Sequence, residues 1–75
     1  MVIELARIRR EAGVTQAEMA ARLDITQGSV SQLEHRGDML LSTLSEYLAA
    51  LGAAARITVT IGDRTFEHNL TGGQQ

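Results

Sequence analysis

Apolar residues recur at helical spacing along most of the chain and alternate with polar residues near its end. Leu5, Ile8 and Ala12 share one face of a predicted first helix. Gly13 is expected to end that helix, because glycine adopts the left-handed conformation at helix ends without steric cost. The same reasoning predicts four helices followed by two strands.

Capping signals place the second helix. Thr15 and Glu18 form a Thr-x-x-Glu capping box, so we expect the helix to begin at Gln16. The sequence Asp24-Ile25 is expected to break it, with Asp24 adopting a positive φ less readily than glycine would. Three residues mark its predicted inner side: Ala17, Ala20 and Leu23.

Thr26 is the predicted N-cap of a third helix that runs from Gln27 to about Arg36 and is closed by Gly37. Val30 and Leu33 are its predicted inward pair. A fourth helix is expected to be capped by Ser42 and ended by Gly52. Its inner face carries leucines at helical spacing: Leu44, Leu48 and Leu51.

Beyond Gly52 the apolar residues alternate with polar ones, which predicts a strand with one buried face. Gly62-Asp63 is a two-residue hairpin turn signal. Across the turn the predicted register pairs Ile61 with Arg64, Val59 with Phe66, Ile57 with His68 and Ala55 with Leu70. This register gives both strands one shared apolar face, a candidate surface for dimerisation or partner binding formed by Ile57, Val59, Ile61, Phe66 and Leu70.

The length and composition restrict the class of protein. A chain of 75 residues forms one domain with a small core, and it contains no cysteine for disulfides or thiolate metal sites. We expect a cytoplasmic protein with no cofactor, metal site or membrane contact. The chain has seven arginines and nine acidic residues, so it lacks the excess of basic residues usual in nucleic-acid-binding proteins. Through Gly37 the five arginines balance five acids, so DNA would bind this neutral part rather than the acidic remainder.

The predicted third helix carries an outward strip of glutamine and serine that ordinary solubility does not require. Glutamine can bond two atoms of an adenine edge, and serine accepts several partners. The strip consists of Gln27, Gly28, Ser29, Ser31 and Gln32. We find no glycine-rich phosphate loop, nucleophile elbow or catalytic triad spacing, so the sequence does not favour an enzyme.

The segment from Thr15 to Glu34 resembles the helix-turn-helix of the lambda-repressor-like family, also called the Cro or XRE type. The Thr-Gln-x-x-x-Ala start and the Thr-Gln-x-Ser-Val-Ser-Gln-Leu-Glu recognition helix lie in register with that family. The resemblance implies a mainly α fold of four to five helices followed by the β-hairpin. It also implies that Gln16 bonds a phosphate, that Gln27 and Gln32 contact bases, and that Arg9 pairs with Glu34. Arg36 is added to this DNA-binding set because it ends the recognition helix.

Two residues depart from the family pattern. Asp24 replaces the usual turn glycine, and Gly28 replaces a side chain that often reads a base. Because Gly28 has no side chain to contact a base, the recognition helix is expected to read fewer bases. Gly28 is also expected to weaken the helix by roughly 1 kcal/mol relative to alanine.

The rest of the chain is similar to small antitoxins of host-inhibition-of-growth type toxin–antitoxin pairs. This implies a repressor that binds a pseudo-palindromic operator in double-stranded DNA as a homodimer and that neutralises a cognate toxin. The alternatives are a module that mainly binds a partner protein, a stand-alone repressor without a toxin, and a monomeric DNA binder. The predicted domains are a helix-turn-helix domain over 1–52, a hairpin over 53–70 and a disordered tail over 71–75.

Overall fold

The computed structural model describes residues 4–36 and 38–71, which form four helices and a two-stranded antiparallel sheet. In chain order they are α1 (Leu5–Glu11), α2 (Gln16–Leu23), α3 (Gln27–His35), α4 (Leu41–Ala50), β1 (Ala55–Ile61) and β2 (Arg64–Thr71). The predicted mainly α fold with a C-terminal hairpin is confirmed. No helix in these residues combines the length and hydropathy needed to cross a bilayer. The predicted closing role of Gly37 lies outside the described residues.

Local signals fix the first three helices as the sequence predicts. Gly13 has a φ of 77° immediately beyond α1. At the start of α2 the capping box is complete: the Glu18 amide donates to Thr15 Oγ1 over 3.0 Å, and the Thr15 amide donates to Glu18 Oε1 over 2.8 Å. Thr26 caps α3 by accepting from the Ser29 amide over 3.0 Å. These side chains satisfy amides that the first helical turn leaves without backbone partners.

Two predictions about the helices are wrong. Ala17 is exposed, and Met19 is the fully buried residue of α2, because the inward face is centred on Met19, Ala20 and Leu23 and Ala17 lies on its flank. Ser42 is not a cap. Helix α4 begins at Leu41 after an extended Leu40, and no side-chain hydrogen bond caps it.

The core lies where the four helices meet. Its buried apolar residues are Leu5, Val14, Met19, Ala20, Val30, Leu44, Tyr47 and Leu48. Tyr47 is the largest of the fully buried side chains, and its hydroxyl has hydrogen-bond partners, as a buried phenol requires. No buried side-chain nitrogen or oxygen of the described residues lacks a hydrogen-bond partner.

The hairpin register agrees with the prediction over most of its length. Ile61 pairs with Arg64, Val59 with Phe66 and Ile57 with His68. The predicted pairing of Ala55 with Leu70 is wrong: Ala55 pairs with Thr71, because a bulge between Ala55 and Arg56 leaves Leu70 as an extra residue on β2.

The bulge fastens the base of the hairpin to the helices. Leu70 packs against the core, and its carbonyl accepts a hydrogen bond from Ser45 Oγ of α4 over 3.0 Å. Thr71, assigned above to the disordered tail, is the buried last residue of β2 and donates from its hydroxyl to the Ala53 carbonyl. The rest of that predicted tail, 72–75, lies outside the described residues. The sheet is therefore anchored at one end and projects from the helices at the other.

Candidate DNA-binding surface

Helix α3 is seated on α2 through a tight turn. Asp24 adopts the left-handed conformation at φ 59°, and the Ile25 amide donates to the Ala20 carbonyl over 3.0 Å. Val30 of α3 is fully buried, and Leu33 packs against the same core. The predicted positive φ of Asp24 is confirmed. Because Val30 and Leu33 pack against the core, the opposite side of α3 faces solvent.

The outward side of α3 carries the polar strip that the sequence predicts. Gln27, Gly28 and Gln32 are exposed, while Ser29 and Ser31 are half-buried. The Ser29 hydroxyl accepts a hydrogen bond from Thr26 Oγ1 over 2.9 Å, so one of its lone pairs is already occupied. The strip thus presents two long amide side chains around a glycine, with room for another surface to approach the backbone closely.

Glu34 occupies the inner side of α3 and accepts hydrogen bonds from three side chains. Arg9 Nε donates to Glu34 Oε2 over 2.6 Å, and Arg9 Nη2 donates to Oε1 over 3.2 Å. Tyr47 Oη donates to Oε2 over 2.6 Å, and Gln16 Nε2 donates to Oε1 over 3.0 Å. The predicted pair of Arg9 and Glu34 is present, with side chains 8% and 1% exposed.

These contacts also hold four segments together. Arg9 Nη1 donates to the Val14 carbonyl over 2.9 Å, which ties α1 to the loop before α2. Gln16 lies in α2, Glu34 in α3 and Tyr47 in α4. One buried carboxylate therefore joins all four helices.

The charges in this cluster shift one another's pKa values. Burial acts to raise the pKa of Glu34, but hydrogen bonds from Arg9, Tyr47 and Gln16 together outweigh burial and leave that pKa below its ordinary value. The hydrogen bond to Glu34 raises the pKa of Arg9. Burial, and then the hydrogen bond to Glu34, raise the pKa of Tyr47. The carboxylate is therefore ionised and the phenol neutral near pH 7.

The cluster reaches the outward strip through Gln16. The oxygen of Gln16, Oε1, accepts a long hydrogen bond of 3.4 Å from Gln27 Nε2. The two glutamines that begin α2 and α3 are therefore neighbours. Nothing in the sequence spacing indicated the contact of Gln16 with Glu34, and the contribution of Tyr47 was also missed.

The arginines other than Arg9 lie at the surface. Arg36, which follows α3, is exposed, and so are Arg7 and Arg10 of α1. Arg22 is also exposed, and its Nη1 donates to the Ala50 carbonyl over 2.9 Å at the end of α4. His35 is exposed, and its Nδ1 lies 2.7 Å from the Ser31 carbonyl oxygen one turn earlier on α3.

The hairpin presents an apolar face that the helices leave uncovered. Val59, Ile61 and Phe66 are 46%, 64% and 48% exposed. Arg64 lies over the Phe66 ring, with its guanidinium carbon 5.3 Å from the ring centre. Ile57 and Leu70, predicted to share this face, are partly buried near the base, and Leu70 packs against the core. We refer to Val59, Ile61 and Phe66 as the open hairpin face.

Residues 4–36 and 38–71 contain no group of three or more histidine or acidic side chains that could hold a metal ion. The exposed polar groups on and beside α3 include the amides of Gln27 and Gln32 and the guanidinium of Arg36.

Comparisons with known proteins agree on a helix-turn-helix. The sequence profile of the family described as Sigma-70, region 4, itself a helix-turn-helix domain, matches residues 1–46. The putative antitoxins HigA2 and HigA3 of Mycobacterium tuberculosis are 39% identical over 64 residues and 43% identical over 67 residues. These matches cover 83% and 84% of this chain but only 63% and 61% of the relatives, so the chain spans about three fifths of their length.

Another relative, the uncharacterised HTH-type transcriptional regulator y4dJ of Sinorhizobium fredii, is 43% identical over 61 residues. That match covers 80% of this chain and 79% of the relative. A solved HigA antitoxin, described by induced DNA bending and unique dimerisation, superimposes with a TM-score of 0.78 at 38% identity, covering 91% of this chain and 93% of that one. A DNA-bound HigA3 antitoxin superimposes equally well at the same identity, covering 100% and 97%.

Proposed function

The chain belongs to the helix-turn-helix family that includes the HigA antitoxins, and from that premise we propose that it is the autoregulating antitoxin of a type II toxin–antitoxin pair. In this role it is a sequence-specific transcriptional repressor. The observation that carries the proposal is that Gln27 and Gln32 are exposed on a helix that Val30 and Glu34 fix against the rest of the protein.

Helix α3 is the proposed recognition helix, placed in the major groove with its N-terminal residues against the base edges. Gln27 and Gln32 are the proposed base readers, because each amide offers a donor and an acceptor to one adenine. The small residues between them allow the helix to lie deep in the groove, and Gln16 and Arg36 flank it. The whole proposed DNA-binding set is Gln16, Gln27, Gly28, Ser29, Ser31, Gln32 and Arg36.

The net charge of −2 affects how the protein binds DNA. Few cations are available to neutralise phosphates, so the sequence-independent part of the affinity is small and falls as salt rises. Specific binding then depends on base contacts and on two recognition helices acting together.

We propose a homodimer formed through the open hairpin face. Val59, Ile61 and Phe66 lose water contact if a second copy covers them, and each large apolar side chain fully buried contributes about 1.5–3 kcal/mol. A twofold axis through this interface repeats the same contacts on both copies. The two recognition helices would then reach half-sites about 34 Å apart on one face of a pseudo-palindromic operator.

The proposed protein partner is a cognate toxin. Support comes from the relatives named as putative antitoxins, HigA2 and HigA3. The similarity to regulator y4dJ favours a second candidate, a stand-alone repressor without a toxin. If the product of a neighbouring gene co-purifies with the tagged protein, the first candidate is supported. If the operon contains no second gene whose product binds the protein, the second candidate is supported.

The relatives are antitoxins and regulators rather than enzymes, and we propose no catalytic activity for this chain. We place it in the cytoplasm because its proposed target is DNA.

The test is selection of bound duplexes from a random DNA pool at about 100 mM salt, where charges separated by more than roughly 10 Å are screened. We expect a palindrome with half-sites one helical turn apart. A pool that stays random, while a control DNA binder enriches its own site, would refute the proposed repressor function.

The selected duplex allows one base reader to be tested directly. Gln32→Ala is expected to cost about 1–3 kcal/mol of discrimination at a single base position, since it removes one pair of contacts to a base edge. Competition binding against duplexes changed at each position measures this loss. Glu46→Ala, on the exposed part of α4, is the control and should leave the preference unchanged. An unaltered preference in the Gln32 variant would remove Gln32 from the base readers.

A further inference from the structure

We propose that Tyr47 and Glu34, both in the core, orient the base-reading side chain of Gln27 through Gln16. This inference rests on the proposed function, and it makes Tyr47 and Glu34 positioning residues for base recognition. The contacts form a continuous path: Tyr47 Oη to Glu34 Oε2 (2.6 Å), Gln16 Nε2 to Glu34 Oε1 (3.0 Å), and Gln27 Nε2 to Gln16 Oε1 (3.4 Å).

The direction of every hydrogen bond on this path follows from the charge of Glu34. An ionised carboxylate has no proton and can only accept. The end of Gln16 that faces it must therefore be the nitrogen, which places the oxygen of Gln16 toward Gln27. Gln27 in turn must present its nitrogen to that oxygen. The carboxylate thus fixes the orientation of both amides.

The carboxylate itself is held in place from two sides. Arg9 binds both of its oxygens, at 2.6 Å and 3.2 Å, and the side chain of Glu34 is only 1% exposed. The Tyr47 hydroxyl has a single proton, and its 2.6 Å contact with Glu34 is much shorter than its 3.4 Å contact with the Leu5 carbonyl. That proton therefore goes to Glu34 and occupies Oε2, which leaves Oε1 for Gln16.

The outer end of the path has the chemistry of an adenine reader. Gln27 keeps one amide hydrogen and its oxygen, and no donor among residues 4–36 and 38–71 reaches that oxygen within hydrogen-bond distance. A free donor beside a free acceptor matches the N7 and N6 groups of adenine. An amide already oriented loses less conformational freedom when it binds the base than a mobile one does. The core would thereby contribute to discrimination at one base pair.

A double-mutant cycle on base discrimination tests this coupling. Gln16→Met keeps the length of the side chain but can neither donate to Glu34 nor accept from Gln27. Gln27→Ala removes the reader, and the base pair at which it loses discrimination identifies the base that Gln27 reads. At that base pair we expect the Gln16 variant to lose at least about five-fold of the discrimination, the lower end of the range for a two-contact pair. The double variant should lose no more than Gln27→Ala does alone.

A second variant tests the core end of the path without opening a cavity. Tyr47→Phe keeps the buried ring and removes the hydroxyl, with its 2.6 Å hydrogen bond to Glu34 and its longer contact with the Leu5 carbonyl. We expect discrimination at the same base pair to fall about three-fold. In the protein without DNA, the side-chain amide resonances of Gln16 and Gln27 should shift and become more mobile in this variant. Glu46→Gln, outside the path, is the control and should change neither measurement.

The outcomes separate coupling from simple contact with the DNA backbone. If Gln16→Met weakens binding to every duplex equally and its effect adds to that of Gln27→Ala, Gln16 is only a phosphate contact and the inference is wrong. Unchanged glutamine amide resonances in Tyr47→Phe would also overturn it. If the wild-type protein selects no DNA sequence at all, the proposed function is refuted, and the inference with it. The glutamine amide resonances of wild type and Tyr47→Phe, measured without DNA, would then still show whether the hydrogen-bond path exists.

Discussion

Replacing Arg9 by methionine should destabilise the fold severely, because it leaves the Glu34 carboxylate buried without its cation. Met keeps much of the apolar volume of the arginine stem, so the lost contacts are those to Glu34 and to the Val14 carbonyl. Removing one partner of a buried ion pair costs about 3–5 kcal/mol. A domain of this size has a total stability of about 4–11 kcal/mol, so the variant should be close to unfolding at 25 °C.

The pH dependence of stability should change sign with this substitution. In the wild type the folded-state pKa of Glu34 lies below its unfolded value, near 4.5, so the stabilisation is present above that pH and is lost as pH falls through the folded-state pKa. In Arg9→Met, burial without the cation is expected to raise the pKa of Glu34 above its unfolded value. The contribution of Glu34 is then present at low pH and lost as pH rises through the raised pKa.

Urea unfolding followed by far-ultraviolet circular dichroism, from pH 3.5 to pH 8, measures both effects. Protein concentration must be held fixed, because the proposed dimer would contribute to the apparent stability. Arg56→Met is the matched control: its 3.9 Å contact with Glu67 joins side chains that are 63% and 53% exposed, so it should cost no more than about 0.5 kcal/mol. Arg9→Lys keeps the charge and should keep the wild-type sign of the pH dependence. A loss below about 1 kcal/mol in Arg9→Met, with the pH dependence unchanged, would refute this account of the pair.

Two further predictions concern α3 and the hairpin. Gly28→Ala should stabilise the protein by up to roughly 1 kcal/mol in thermal or urea unfolding. Alanine suits a helix better than glycine does, and the added Cβ would meet only Thr26 Oγ1 at 3.9 Å, an ordinary contact; destabilisation would show that α3 is strained there. Phe66→Asp on the open hairpin face should weaken dimerisation by about 100-fold or more in analytical ultracentrifugation, since the twofold axis repeats the loss. Thr65→Asp is the control: Thr65 is exposed at the neighbouring position on the opposite side of the strand, so this change should leave dimerisation unaffected. A dimer that persists in Phe66→Asp would exclude the open hairpin face as the interface.

The features that the sequence predicts correctly are those decided within a few residues. The capping box of Thr15 with Glu18, the positive φ of Asp24 and the cap at Thr26 all depend on a single turn of backbone. The Gly62-Asp63 turn likewise fixes the pairing of the residues beside it. Local chemistry determines these features, so it can be read without knowing the rest of the fold.

The errors occur where distant parts of the chain decide the outcome. The bulge at Leu70 arises at the end of the hairpin farthest from its turn, where the strand must also meet Ser45 and the core. Likewise Tyr47 shows no sign in the sequence that its hydroxyl meets Glu34, thirteen positions away on another helix. The family resemblance predicts only a DNA contact for Gln16, because its hydrogen bond with the same carboxylate depends on how α2 and α3 cross.

The hydrogen bonds around Glu34 fix the orientation of the helices, which apolar packing alone could not do. Contacts such as those of Val30 and Met19 are favourable in many relative orientations, because the hydrophobic effect has no direction. Hydrogen bonds to Glu34 have a narrow range of distance and angle, so they fix how the helices are rotated relative to one another. With a net charge of −2 the protein would gain little from phosphate attraction, so the proposed base reading depends on the accurate placement of a few amides. A buried ion pair contributes little net stability compared with apolar residues, so its advantage in this small core is directional: it aligns the helix that carries Gln27 and Gln32.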